Sequence, residues 1–301
     1  MSITFRQVRY FIAAVETGQI SHAAMEMNVS QSAVTAAIQA LEAQLGVQLL
    51  ERTPAGVTPT IAGARFLHHA RNIAAAVEDA VRSPLGEGRA AQGSLRVAAT
   101  YTVAGYFMTR HYARFRRAYP DIALEMIELP RGEIEKGIIE GSVDIAVMLV
   151  SNLANRAEIE QETLMRSRRR LWLPADHPLL GQDRVTLADV AREPYVMLTV
   201  DEARTTAGRY WQEAGLAPNV IFATSSVEAV RSLVAAGMGV TILSDMVYRP
   251  WSLEGQRIEL RPVDQDIPSM DVGLAWSRKR PHSQPATIFR AFMSVAMGGG
   301  G

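Results

Sequence analysis

Residues 21–45, SHAAMEMNVSQSAVTAAIQALEAQL, decide how the rest of the chain is read. His22 to Met27 carries Ala23, Ala24 and Met27 at helical spacing, and Asn28-Val29-Ser30 then interrupts the pattern. Gln31 to Leu45 returns Val34, Ile38, Leu41 and Leu45 to one face at helical steps. Ser30 stands where an N-cap is wanted, because its oxygen can accept a free backbone N–H of the new helix. Upstream, Phe5 to Glu16 supplies Val8, Phe11, Ile12 and Val15 as a third apolar stripe, and Ala24 is small enough to let two helices cross closely. Three short helices around a helix-turn-helix core form a domain that presents its second motif helix to a DNA major groove.

Ordinary packed helices would show the same stripes, so the solvent face has to discriminate. On the second motif helix it holds Gln31, Ser32, Thr35, Ala36 and Gln39, short or uncharged side chains suited to hydrogen bonding with base edges. Leu49 to Thr60, LLERTPAGVTPT, reads as two extended pieces around a Pro/Gly turn, a wing beside the helix. FRQVRYFIAAVETGQISHAAMEMNVSQSAVTAAIQALEAQLGVQLLERTPAGVTPTIAG, Phe5 to Gly63, resembles the winged helix-turn-helix of LysR-type transcriptional regulators through its SQxAVTxxIxxLE, LGxxLLxR and TxAG elements. The resemblance continues over nearly the whole chain. It departs at Ser32, where the family often has proline, and at Pro54-Ala55, where the wing often has a second basic residue. It implies DNA contacts from Ser30, Gln31, Ser32, Thr35 and Gln39 on the helix, with Arg52 and Thr58 on the wing.

A length of 301 residues suggests two domains, and 48% hydrophobic with 21% charged residues indicates a soluble globular chain. The absence of cysteine excludes disulfides, thiolate metal sites and cysteine redox sensing. Tyr10 to Val15, flanked by Arg6, Arg9 and Glu16, is too short for a signal-peptide core, and no run approaches the ~18 apolar residues of a membrane span. A cytoplasmic protein without membrane association is the expectation. Residues 1–60 hold three basic groups (Arg6, Arg9, Arg52) against four acidic ones (Glu16, Glu26, Glu42, Glu51). One such domain should therefore bind DNA weakly, because the usual basic footprint is missing. Affinity must then come from joining several domains on one DNA.

The next stretch supplies the joint. From Thr60 to Arg82 a helical pattern places Phe66, Ala70, Ile73, Val77 and Val81 on one stripe. That spacing fits packing against a second copy, and it also fits a helix lying on its own domain. Ser83-Pro84-Leu85-Gly86-Glu87-Gly88-Arg89 ends it as a hinge-like linker to about Gly93. The expected division is a DNA-binding domain over 1–60, linker helix and hinge over 61–93, and an effector domain over 94–297. Lobe I of that domain is 94–165 with 267–297, and lobe II is 166–266.

From Ser94 strands and helices alternate. The predicted order is strand Leu95–Ala99, helix Val103–Tyr119, strand Ala123–Glu128, helix Glu133–Glu140 and strand Asp144–Val150. A second set has strands Arg170–Pro174, Tyr195–Leu198, Val220–Thr224 and Val240–Leu243, with helices Ala203–Ala214 and Val227–Ala236 among them. Asp271–Ser277 returns to the first set, and Pro285–Met297 is a terminal helix. The fold class is α/β, a mostly parallel sheet covered by helices, preceded by the all-α winged domain. The two lobes are similar to a periplasmic-binding-protein-type effector domain.

No catalytic constellation is present. Gly237-Met238-Gly239 follows a helix and precedes a strand, which suits a helix stop rather than a dinucleotide turn, and the six histidines show no metal-ligand spacing. An enzyme is not expected, nor is a cofactor or metal. A ligand crevice is expected at the carboxyl ends of the strands. Thr100, Tyr101 and Thr102, Thr199, and Ser225-Ser226 deliver hydroxyls there, Ser225 forming a capping-box pattern with Glu228. Hydroxyls at three such strand ends, with free amides, favour an anionic ligand, although each also suits a plain cap. Arg131 falls where the family's effector cleft has a lining residue and can pair with a carboxylate. Tyr101 and Val103 can cover an apolar body, and the resemblance adds Leu149. The basic run Arg166, Arg168, Arg169, Arg170 reads as a solvated strand edge.

The expectation is a LysR-like regulator binding double-stranded DNA as dimers of dimers, bending it, and answering to a small organic anion, with RNA polymerase as a further partner. A solute-binding protein whose N-terminal helices mediate assembly is the alternative of a different class.

Overall fold

A computed structural model describes residues 3–53, 56–82 and 91–297. The wing tip Pro54-Ala55, the hinge from Ser83 to Arg89 and the final glycine run lie outside the described residues. The chain divides into two compact units, 1–84 with 249–258, and 85–248 with 259–301.

In the first unit α1 (Phe5–Thr17) starts at a capping box between Thr4 and Gln7 and stops at left-handed Gly18. Helix α2 (Ile20–Glu26) ends at Asn28, whose φ of 53° breaks the helix direction. Helix α3 (Gln31–Leu45) begins at Ser30, whose hydroxyl accepts the Ala33 amide at 3.2 Å. Strands β1 (Leu50–Thr53) and β2 (Gly56–Pro59) pair antiparallel as the wing. One carboxylate fixes where the wing starts, since Glu42 accepts the Leu49 and Leu50 amides at 2.8 and 3.1 Å. The core is Phe11, Ala23, Val34, Ile38 and Leu41, all fully buried. Each large member contributes about 1.5–3 kcal/mol over its exposed state.

Helix α4 (Ile61–Arg82) divides along its length. Phe66 meets Phe11 edge-on at 5.3 Å, Ala70 is buried, and Arg71 pairs with Glu16 at 2.9 Å. Further along, Ile73 and Val77 are 46% and 37% exposed. The first half of the stripe thus lies on its own domain, and the second leaves Ile73 and Val77 uncovered. Residues 249–258, read from sequence as part of lobe II, group with this unit. Arg257 is buried over the Trp251 ring and donates to the Gly18 carbonyl at 2.8 Å.

The second unit begins with β3 (Gly93–Ala99). A single helical turn, α5 (Tyr101–Val103), runs through a π turn at Ala104–Met108 into α6 (Thr109–Ala118). Then come β4 (Ile122–Glu128), α7 (Arg131–Glu140), β5 (Ile145–Leu149) and β6 (Ile159–Ser167). After β6 the chain forms β7 (Arg169–Pro174), α8 (Leu187–Arg192), β8 (Pro194–Leu198), α9 (Ala203–Glu213) and β9 (Asn219–Thr224). It continues through α10 (Val227–Ala235), β10 (Thr241–Ser244) and β11 (Ile258–Arg261) to β12 (Met270–Ser277) and α11 (Gln284–Met297). Left-handed Gly237 follows α10, the expected helix stop.

Lobe I is a five-stranded sheet in the order β4-β3-β5-β12-β6. Strand β3 is parallel to β4 and β5, and β12 runs antiparallel to β5 and β6. Strand β6 escaped the sequence reading, because Glu160, Glu162 and Arg166 dilute its apolar pattern at the sheet edge. Lobe II holds β10-β7-β11 and the parallel pair β8-β9, linked by a bridge between Tyr195 and Val240.

Candidate functional site

On α3 Val34, Ile38 and Leu41 face inward, which leaves Gln31, Ser32, Ala36 and Gln39 exposed and Thr35 half-buried. Ser30 is committed to its cap and lies 3.0 Å from the Ser32 hydroxyl. On the wing Arg52 is exposed and Thr58 half-buried. The α3 face is therefore uncharged and open, as base reading requires.

The crevice of the second unit is built from strand ends. Strand β3 delivers Thr100 to Val103, β5 delivers Leu149, and β8 delivers Thr199 and the turn Val200–Glu202. A cavity of about 30 Å³, room for roughly one water, is lined by Thr102, Leu149, Arg169, Asp201, Tyr210 and Ser244 among others. Of the residues expected in the crevice, Thr102 and Leu149 reach this cavity. Thr100 is buried with its hydroxyl lacking a hydrogen-bond partner, Val103 is buried in the core, and Tyr101 is exposed. Thr199 takes its place through its amide, which bonds to the Thr224 carbonyl at 2.9 Å.

Two expectations change. Ser226, not Ser225, caps α10, accepting the Ala229 amide at 3.1 Å, because the helix starts one residue later than the capping-box pattern assumed. Glu228 instead pairs with Arg231 of its own helix at 2.9 Å and, across the crevice, accepts from the Tyr106 hydroxyl at 2.6 Å. Burial, and then that bond, push the Tyr106 hydroxyl up to about 12. Arg131, expected to await a ligand carboxylate, is already engaged by Glu135 and Glu202, each at 2.9 Å.

Glu135 anchors this corner from a fully buried position. It also accepts the Ala154 and Asn155 amides, each at 3.0 Å. Burial opposes its charge, but the Ala154 amide, Arg131 and Asn155 outweigh it and hold the carboxyl below the usual range. The bond to Glu135, and after it the one to Glu202, raises the Arg131 guanidinium above its ordinary value although burial opposes the charge.

Asp201 and Glu202 form the most strained turn in the crevice, with consecutive φ values of 49° and 57°. Left-handed backbone costs a side-chain-bearing residue about 1–2 kcal/mol. The turn is held by side chains: the Thr102 amide donates to Asp201 Oδ2 at 2.7 Å and the Thr102 hydroxyl bonds the same oxygen. Asn152 Nδ2 meets both the Asp201 carbonyl and Glu202 Oε2 at 3.3 Å.

Arg169, read from sequence as part of a solvated strand edge, lines the cavity. It donates to the Pro268 and Ser269 carbonyls and makes no ion pair among the described residues, and burial lowers its guanidinium from the ordinary value. Its neighbour Arg170, half-buried on β7, the central strand of its sheet, pairs with Asp245 at 2.6 Å. Arg169 shares a face of β7 with Leu171 and Leu173, but both faces of the strand are buried from Leu171 on, so alternation alone does not single it out.

Residues 5–64 match the bacterial regulatory helix-turn-helix protein model of the lysR family, and residues 88–297 match the LysR substrate binding domain. The HTH-type transcriptional regulator YnfL of Escherichia coli is 32% identical, covering 99% of this chain and all of that protein. The RuBisCO operon transcriptional regulator of Allochromatium vinosum is 30% identical, over 97% of this chain and 96% of its own. Among solved structures, HinK, a LysR family transcriptional regulator from Pseudomonas aeruginosa, superposes with a TM-score of 0.64 at 28% identity, covering 98% of this chain and 99% of its own.

Proposed function

The chain belongs to the LysR family of bacterial DNA-binding transcriptional regulators, which are not enzymes; on that premise we propose that it reads operator DNA as a self-associated assembly and answers to a small organic anion held between its lobes. The crevice carries the effector reading: a half-buried guanidinium without an ion-pair partner among the described residues, Arg169, lines the same cavity as Thr102, and oxyanions are held by such donors. The cavity is too small for an organic molecule, so binding has to move the lobes. That motion is the regulatory step, a population shift in which the ligand must prefer one lobe angle.

In this reading α3 enters the major groove through Gln31, Ser32 and Thr35, Arg52 holds a phosphate, and the assembly bends the DNA between two sites. RNA polymerase is the further partner, in the cytoplasm. The uncovered Ile73–Val77 stripe supports self-association, as does the edge strand β9, whose Val220, Ile221 and Phe222 are all exposed. Replacing Ile73 and Val77 by glutamate should dissociate the assembly in sedimentation and weaken operator binding in a mobility-shift assay. Unchanged sedimentation and DNA affinity would reject α4 as the assembly element. For the effector, Arg169→Ala should abolish the response of DNA binding to small organic acids, and an undiminished response would move the effector site elsewhere.

A further inference from the structure

The bonds across the crevice have a polarity. The lobe I groups are donors: the Thr102 amide and hydroxyl, Tyr106, Arg131 and Asn152. The lobe II side chains they meet are carboxylates: Asp201, Glu228 and Glu202. An amide and a hydroxyl of one residue converging on one oxygen make a seat for an oxyanion, and here the seat is filled by the chain's own carboxylate. Its other oxygen, Asp201 Oδ1, has no hydrogen-bond partner among the described residues. The turn that delivers it is in left-handed backbone at both Asp201 and Glu202. Such a conformation persists only where surrounding bonds hold it. Beside the seat, Arg169 has carbonyl partners but no carboxylate.

We propose that the Asp201 carboxylate is an internal occupant of the oxyanion seat on Thr102, which a small oxyanion effector enters by displacing it. The proposal rests on the crevice being the effector site and adds how that site is kept closed. An incoming oxyanion satisfies the Thr102 amide and hydroxyl and brings negative charge to Arg169. The expelled Asp201 is solvated, and the Val200–Glu202 turn loses the bonds that hold its backbone left-handed. Arg131 and Asn152, which grip Glu202 in the same turn, let go with it, so one exchange of carboxylates loosens lobe II from lobe I and leaves the Tyr106–Glu228 bond between them. The effector competes with a tethered anion at high local concentration, which sets wild-type affinity well below what the seat offers.

The test uses the full-length protein and two variants. Asp201→Gly removes the anion and suits the left-handed backbone, and Asp201→Asn keeps shape and loses charge. Amide hydrogen exchange without ligand should rise about tenfold at Thr102 in Asp201→Gly. Calorimetric titration with acetate, benzoate and inorganic phosphate should show at least one of them binding about tenfold tighter to both variants than to wild type. Adding Thr102→Ala should erase the gain. Tightening by acetate or benzoate assigns a carboxylate effector, and tightening by phosphate alone assigns a phosphate ester. Unchanged exchange with unchanged affinities overturns the proposal, as does faster exchange without tighter binding of any of the three anions. If Arg169→Ala abolishes anion binding while the Asp201 variants gain nothing, the crevice stands as the effector site and the internal occupant falls. If neither residue affects anion binding, both readings fall.

Discussion

On α3 the groups expected to meet DNA stand in water, Gln31 and Gln39 without an intramolecular hydrogen bond among the described residues. In the crevice Thr102, Arg131 and Asn152 already hold carboxylates of the same chain. The two surfaces answer different demands. A face that reads base edges works as a rigid template, and water is the only competitor for its donors and acceptors. A site that switches needs two arrangements of similar free energy, and internal partners supply the second one. Polar groups on α3 can therefore be altered with little effect on folding, whereas those around the crevice are joined to the stability of the second unit.

The largest expected effect breaks the crevice side of that contrast. Glu135→Ala leaves two backbone amides of the 154–155 turn without their acceptor and Arg131 with Glu202 alone, in a site where the carboxylate was fully buried. A donor left without its acceptor costs about 1–3 kcal/mol. Equilibrium denaturation followed through Trp276 should show it, and a loss below about 1 kcal/mol would mean that water replaces the carboxylate easily. The pH sign follows from the lowered carboxyl. Stability from Glu135 is complete above the ordinary glutamate range and is lost as pH falls through the depressed folded value. Acid titration of wild type should thus destabilise the second unit more steeply than titration of Glu135→Gln.

A smaller effect belongs to the DNA face. Gln31→Ala should lose roughly 1–3 kcal/mol on the specific operator and little on random DNA, while Arg52→Ala weakens both alike. Denaturation midpoints should stay at the wild-type value in both. A shift in midpoint without a shift in specificity would erase the distinction between the two surfaces.

The smallest effect sharpens the boundary of the crevice. Ser226 was expected to meet the effector, but its hydroxyl caps α10. Ser226→Ala should cost about 1 kcal/mol of stability, the usual worth of a cap. Anion affinity in calorimetry should stay as in wild type, and a tenfold weakening would return Ser226 to the binding site.

Local patterns carried the helix-turn-helix and most of the α/β order. Ser30 capping α3, the Val34–Ile38–Leu41 stripe and the break at Asn28 depend on neighbours within one or two turns, so their physics is written within a short window. The same holds for Gly237 as a helix stop and for β5, whose continuous apolar run requires burial on both faces. Strand β6 was illegible because an edge strand needs little apolar surface, and its partner β12 lies about a hundred residues on in the chain. The stripe on α4 was legible as a stripe, but which half faced its own domain depended on Phe11 and Glu16 being in reach.

In the crevice, the sequence by itself determined which groups stand at the strand ends, because hydroxyls and arginines follow apolar runs at positions that strand length dictates. Tertiary structure alone decided what those groups hold. Thr102 and Asp201 are separated by 99 positions, as Tyr106 and Glu228 are by 122. Nothing within either segment marks the partner. A carboxylate finds the nearest donors once its hydration is stripped, and which donors are nearest is set by how the two sheets close on each other. Arg169 follows the same rule in reverse: packing half-buried it against the Pro268 and Ser269 carbonyls without an ion pair among the described residues, and a charge left in that state is what a ligand can use.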